Sequence, residues 1–79
     1  MRLRIHSLQG TVYDGKAKRL TLPTEAGEIT VLDDHEPLIS VTKQGLAVVE
    51  DQEGKEQFFR INSGFLEVKP GSDVLVLAD

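Results

Sequence analysis

Two carboxylates, a histidine and a third carboxylate follow one another at Asp33-Asp34-His35-Glu36, and Pro37 closes the run. Donors in that number suffice for a divalent cation, and an imidazole beside a carboxylate is the raw material of acid/base catalysis. The spacing argues against both. Neighbouring side chains of an extended segment point to opposite faces, so four consecutive donors do not converge on one ion. The other histidine, His6, belongs to a separate segment, and nothing singles out a desolvated carboxylate pair with separated pKa values. A charged corner whose aspartates bond nearby backbone amides accounts for the same residues. No metal ligand and no catalytic residue is assigned.

Other chemistries find less support. Nucleophilic catalysis would need a serine positioned by His6 or His35, and none of Ser7, Ser40 and Ser63 lies in a G-x-S-x-G elbow between a strand and a helix. The seven glycines are dispersed singly at turns, unlike the clustered glycines that cradle phosphates, so no nucleotide cofactor is expected. With no cysteine there is no disulfide framework, zinc-thiolate site or thiol nucleophile. Asp14-Gly15-Lys16-Ala17 puts a lysine beside a candidate hairpin turn, as in lipoyl or biotinyl carrier domains. Those families hold the modified lysine in tighter signatures, and Gly15 interrupts the pattern here. A carrier modified at Lys16 is the alternative reading.

Seventy-nine residues make one domain, 1–79, and a chain this short buries only roughly 60% of its unfolded surface, which disfavours a deep pocket. A net charge of -4 opposes a nucleic-acid or anionic-lipid footprint; the one basic cluster is Lys16, Lys18 and Arg19. No apolar run approaches the roughly 20 residues that span a bilayer, and the alternating start MRLRIHSLQG makes no secretory h-region. Solubility and retention in the compartment of synthesis are the expectations.

The elements that must position these residues all read as strands. Leu3 and Ile5 alternate with Arg2, Arg4 and His6, a period of two that buries one face. Asp14-Gly15 suits a tight hairpin turn between two strands. Leu20 and Leu22 lead to the turn Thr24-Glu25-Ala26-Gly27, after which Ile29 and Val31 resume the alternation. Pro37 to Thr42, the run LAVVE, a turn at Asp51-Gln52-Glu53-Gly54, and Phe59 and Ile61 follow. Leu66 and Val68, a turn at Pro70-Gly71-Ser72-Asp73, and Val74, Val76 and Ala78 complete the chain. The expectation is an all-β fold, an antiparallel sandwich of two sheets built from short strands and hairpins.

Three stretches together, YDGKAKRLTLPTEAGEITVL, DHEPLISVTKQG and INSGFLEVKPGSDVLVLAD, resemble the N-terminal β-sandwich of the epsilon subunit of F-type ATP synthases. That family places a Y-x-G hairpin before T-L-P-x-x-x-G-E-I, then a P-G-H-A-P-L corner and a G-G-F-L-E-V strand ending V-L-A-D. The match runs in order from Leu3 to Asp79. Asp33-Asp34 stands where Pro-Gly is usual, Glu36 replaces Ala, Thr30 a common Gly, and Ser63 the first Gly of the pair. Asp79 lies where most members continue into an inhibitory pair of helices, so a short form or a first-domain fragment is expected.

The resemblance implies a non-catalytic, cofactor-free rotor subunit in the central stalk, joining the gamma subunit to the c ring and helping couple proton flow to ATP synthesis. It implies a gamma-facing side near Ser7, His35, Ser40 and Asn62, and a c-ring contact through Glu25, Gly27 and Glu28. Asp33 to Glu36 would then be an interface loop whose charges set register more than affinity. The implied location is peripheral, on the cytoplasmic face of a bacterial inner membrane. Membrane association would come through the complex, with no direct lipid or nucleic-acid binding. An unrelated β-sandwich adaptor is the remaining possibility.

Overall fold

The computed structural model describes residues 1–79. Eight strands carry the chain: β1 (Arg2–Ser7), β2 (Gly10–Thr24), β3 (Gly27–Leu32), β4 (Leu38–Thr42), β5 (Gly45–Asp51), β6 (Glu56–Ile61), β7 (Gly64–Lys69) and β8 (Asp73–Ala78). They form two layers that share β2. Its first half pairs with β1, which continues through β8 and β7 to β4; its second half lies between β3 and β5, and β5 pairs with β6.

The period-two alternation meets in one core. Leu3, Ile5, Leu66, Val68, Val74, Val76 and Ala78 come from the first layer, and Ala17, Leu20, Leu22, Val31, Ala47, Val49 and Ile61 from the second. Burying each Leu, Ile or Val side chain contributes about 1.5–3 kcal/mol. The two layers are thus held by residues that the alternation alone selects.

The turns at Thr24–Gly27, Asp51–Gly54 and Pro70–Asp73 form where the turn residues predict them. Thr24 shows why: its hydroxyl donates to the Gly27 carbonyl at 2.7 Å and accepts from the Ala26 amide at 3.1 Å. Asp51 Oδ1 likewise accepts from the Glu53 and Lys55 amides, each at 2.9 Å.

Two expectations need correction. Asp14-Gly15 is not a hairpin turn; both residues lie inside β2, with Asp14 opposite Arg4 and Gly15 opposite Leu3. The hairpin tip is Leu8-Gln9, because Ser7 pairs with Gly10 and the six residues of β1 need a continuous partner. Tyr13 reaches back along this strand to donate its hydroxyl to the Lys16 carbonyl at 2.7 Å. The sandwich is also not wholly antiparallel, since β1 and β8 run parallel, Leu3 opposite Val74 and Ile5 opposite Val76.

Candidate interaction site

Register builds the most unusual surface of the molecule on the outer face of the first layer. Residues paired across strands point to the same side, so the pairings generate two rows: Ile39, Glu67, Leu75, Arg4, and Val41, Phe65, Leu77, His6. Ile39 is 74% exposed, Phe65 57% and Leu77 48%. Ile39, Phe65, Glu67, Leu75 and Leu77 line a shallow depression of about 210 Å³. A second depression, of about 280 Å³, continues past Phe65 and Leu77 to Ser7, Leu8, Ser63 and Asp79. Glu67 is the charge within this face, and Arg4 lies at its margin, 3.3 Å from Asp73, with its buried Nε lacking a hydrogen-bond partner. Contiguous exposed apolar side chains on one sheet face mark an interaction surface.

The acidic corner is held by backbone and terminus. The α-ammonium of Met1 donates to the Ala17 carbonyl at 2.9 Å and to Asp33 Oδ1 at 2.5 Å. The Asp34 amide donates to Ser72 Oγ at 2.9 Å, and the His35 amide to the Leu32 carbonyl. His35 Nδ1 lies 2.8 Å from the Glu36 carbonyl. Asp34 has φ 61°, the left-handed region that aspartate tolerates and glycine favours. The side chains therefore serve separate local bonds. Elsewhere, Ser7 Oγ bonds within its own turn, to Gln9 and the Gly10 carbonyl, while His6 Nδ1 contacts Thr11 Oγ1 at 3.1 Å.

The residues singled out from sequence do not form one cluster. Ser7 closes β1 beside Ser63 and Asp79. Asn62 lies at that same end, its amide donating to the Asp79 carbonyl at 2.7 Å and its carbonyl accepting from Thr42 Oγ1. His35 sits at the opposite end, with the corner at the start of β1. Ser40 lies midway along β4, opposite the buried Leu66, and so on the inner face. Ser7, His35 and Asn62 lie at the ends of the apolar face, while Ser40 is turned away from it. Glu25, Gly27 and Glu28 are brought together at the exposed β2–β3 hairpin, where Glu28 pairs with Pro23 and Gly27 has φ 107°.

Sequence reasoning missed Ile39, Phe65, Leu75 and Leu77. The signal was present: in Val74-Leu75-Val76-Leu77 both faces of one strand are apolar, more than a single core requires. Lys16, by contrast, sits within β2 opposite Arg2, not at the turn apex a carrier lysine needs.

Comparison with known proteins agrees with the fold. A family model described as the ATP synthase, Delta/Epsilon chain, beta-sandwich domain matches residues 1–79. A chain in the Euglena gracilis mitochondrial ATP synthase structure, OSCP/F1/c-ring in rotational state 1, superposes with a TM-score of 0.92 at 24% identity. The superposition covers 99% of this chain and 49% of that one. A chain in the Tetrahymena thermophila mitochondrial ATP synthase central stalk and c-ring gives 0.81 at 12% identity, covering 99% and 62%. The protein therefore spans about half to three fifths of the chains it resembles, and at these identities the likeness is one of fold.

Proposed function

Since the chain belongs to the family of ATP synthase delta/epsilon β-sandwich domains, we propose that it is a non-catalytic rotor component that joins a gamma subunit to a c ring. The observation that carries this reading is the outer face of the first layer, where Ile39, Phe65 and Leu77 face water in a small domain that gains from covering them. Gamma covers this face, with Ser7, His35 and Asn62 at its ends; Ser40, on the inner side of β4, lies outside this contact.

Torque then passes through contacts instead of chemistry. Cross-strand hydrogen bonds and a close-packed core resist shear, so a load applied at one end reaches the other. The β2–β3 hairpin, with Glu25 and Glu28 exposed beside Gly27, presents carboxylates to basic loops of the ring. Attachment to the membrane comes through that ring. The Euglena and Tetrahymena structures are mitochondrial, and the cytoplasmic face of a bacterial membrane rests on the resemblance alone.

Size-exclusion chromatography with light scattering tests the reading, using this chain mixed with gamma from the same source. A one-to-one complex is expected, abolished by Phe65→Glu and Leu77→Glu together and retained by Phe58→Glu on the opposite layer. Failure to bind gamma, or equal binding by the Phe65/Leu77 variant, overturns it.

A further inference from the structure

The second layer ends in an unpaired edge. β6 pairs with β5 alone, in unbroken register from Gly45 opposite Ile61 to Glu50 opposite Glu56. Natural edge strands are blunted by proline, bulges or charged side chains. The strand Glu56-Gln57-Phe58-Phe59-Arg60-Ile61 has no proline and no bulge, and its two charges are of opposite sign, so they repel a second copy only in registers that bring like charges together. Its outer face shows Glu56, Phe58 and Arg60, with Phe58 60% exposed. Arg60 makes no ion pair, although its neighbour Glu56 is bonded to Arg19 at 2.8 Å.

We propose that β6 is a self-pairing edge through which two copies of this chain join antiparallel about a two-fold axis at Phe58. The spacing dictates the register. With Phe58 opposite Phe58 of the second copy, Glu56 falls opposite Arg60 of the second copy, and Arg60 opposite its Glu56. Both unlike-charge pairs lie on the face that carries the aromatic pair, an arrangement that stabilises antiparallel strands. Arg19 keeps a second partner when Glu56 turns to the new arginine, since its Nε lies 3.2 Å from Glu50. Leu46, 51% exposed, and Val48 stand opposite Arg60 and Phe58 on β5, so the apolar stripe continues across the joined sheet.

No other edge fits a second copy as well. β3 offers Glu28, Thr30 and Leu32 on its outer face, with no cation to answer the carboxylate. The open side of β4 is closed at one end, where Val41 and Thr42 engage Glu25 and Thr24. The interface is isologous, as a two-fold requires. It uses the layer opposite the proposed gamma face and is independent of that reading.

Sedimentation equilibrium of the 79-residue chain over a concentration series tests this. A monomer–dimer equilibrium is expected, weakened by salt. Arg60→Glu sets four carboxylates face to face and raises the dissociation constant at least about tenfold. Glu56→Arg combined with Arg60→Glu exchanges the charges, regenerates both pairs and restores the constant to within about threefold. Leu77→Glu on the opposite layer leaves it unchanged. A chain that stays monomeric at millimolar concentration overturns the proposal. So does dimerisation that is insensitive to Arg60→Glu, is not restored by the exchange in variants with native circular dichroism, or is lost in Leu77→Glu.

Discussion

Gly64 lies against the backbone of β8 so closely that a Cβ added to it would sit 1.9 Å from the Leu77 carbonyl oxygen and 2.7 Å from Ala78 Cα. The contact fixes how β7 enters the first layer, where Gly64 pairs with both Thr42 and Ala78. Because the opposing atoms are backbone, no rotamer change relieves the clash. Gly64→Ala is expected to destabilise the chain by about 3 kcal/mol or more, read by urea denaturation. A loss below about 1 kcal/mol would show that β7 and β8 separate without penalty.

Asp34 tests the acidic corner. Its φ of 61° costs little for aspartate or glycine and more for a β-branched side chain. Asp34→Val is therefore expected to lower stability by about 1–2 kcal/mol, and Asp34→Gly to change it by less than about 1 kcal/mol. Equal losses in both would mean that the carboxylate, not the backbone angle, matters at this position.

Stability should decline at both pH extremes for separate reasons. The Lys55 amide, helped by the Glu53 amide, the Gln57 side chain and the Lys55 charge, holds the Asp51 carboxyl below the ordinary carboxylate range despite partial desolvation. Its contribution is present above the unfolded pKa and is lost as pH falls through the lowered folded value. Burial, with the negative charge of Asp51 behind it, pushes the Tyr13 hydroxyl up. That contribution is present below the ordinary tyrosine value of about 10 and is lost as pH rises through the folded one. Melting temperature measured against pH should show both limbs; Asp51→Asn flattens the acid limb and Tyr13→Phe the alkaline one.

Glu28→Lys addresses the hairpin. Glu28 is exposed, so the substitution is expected to change folding stability by no more than about 0.5 kcal/mol. It should weaken co-sedimentation with a gamma–c-ring assembly, with the difference from the unsubstituted chain narrowing as salt rises. Undiminished attachment at low salt would remove this hairpin from the ring contact.

Much of the fold was legible because its signals are local. Alternation at Leu3/Ile5, Leu20/Leu22, Leu66/Val68 and Val74/Val76 needs only the geometry of one strand, and each of these residues is buried. Turn chemistry at Thr24–Gly27 and Asp51–Gly54 is equally local, a side-chain oxygen capturing an amide two residues on. From these signals follow an all-β chain of alternating strands and a single core.

Long-range pairing decided the rest. Asp14-Gly15 carries a turn signal, yet β1 claims both residues as strand partners, and only the assembled layer shows that Leu8-Gln9 is the tip. The parallel placement of β1 beside β8 joins residues some seventy positions apart, which no local period encodes. The outer apolar face is likewise tertiary: Ile39, Phe65 and Leu77 are ordinary strand residues in sequence, and they become one surface because β4, β7 and β8 are neighbours in register. Periodicity tells which side chains share a face of one strand; hydrogen-bonded register alone tells which strands share that face.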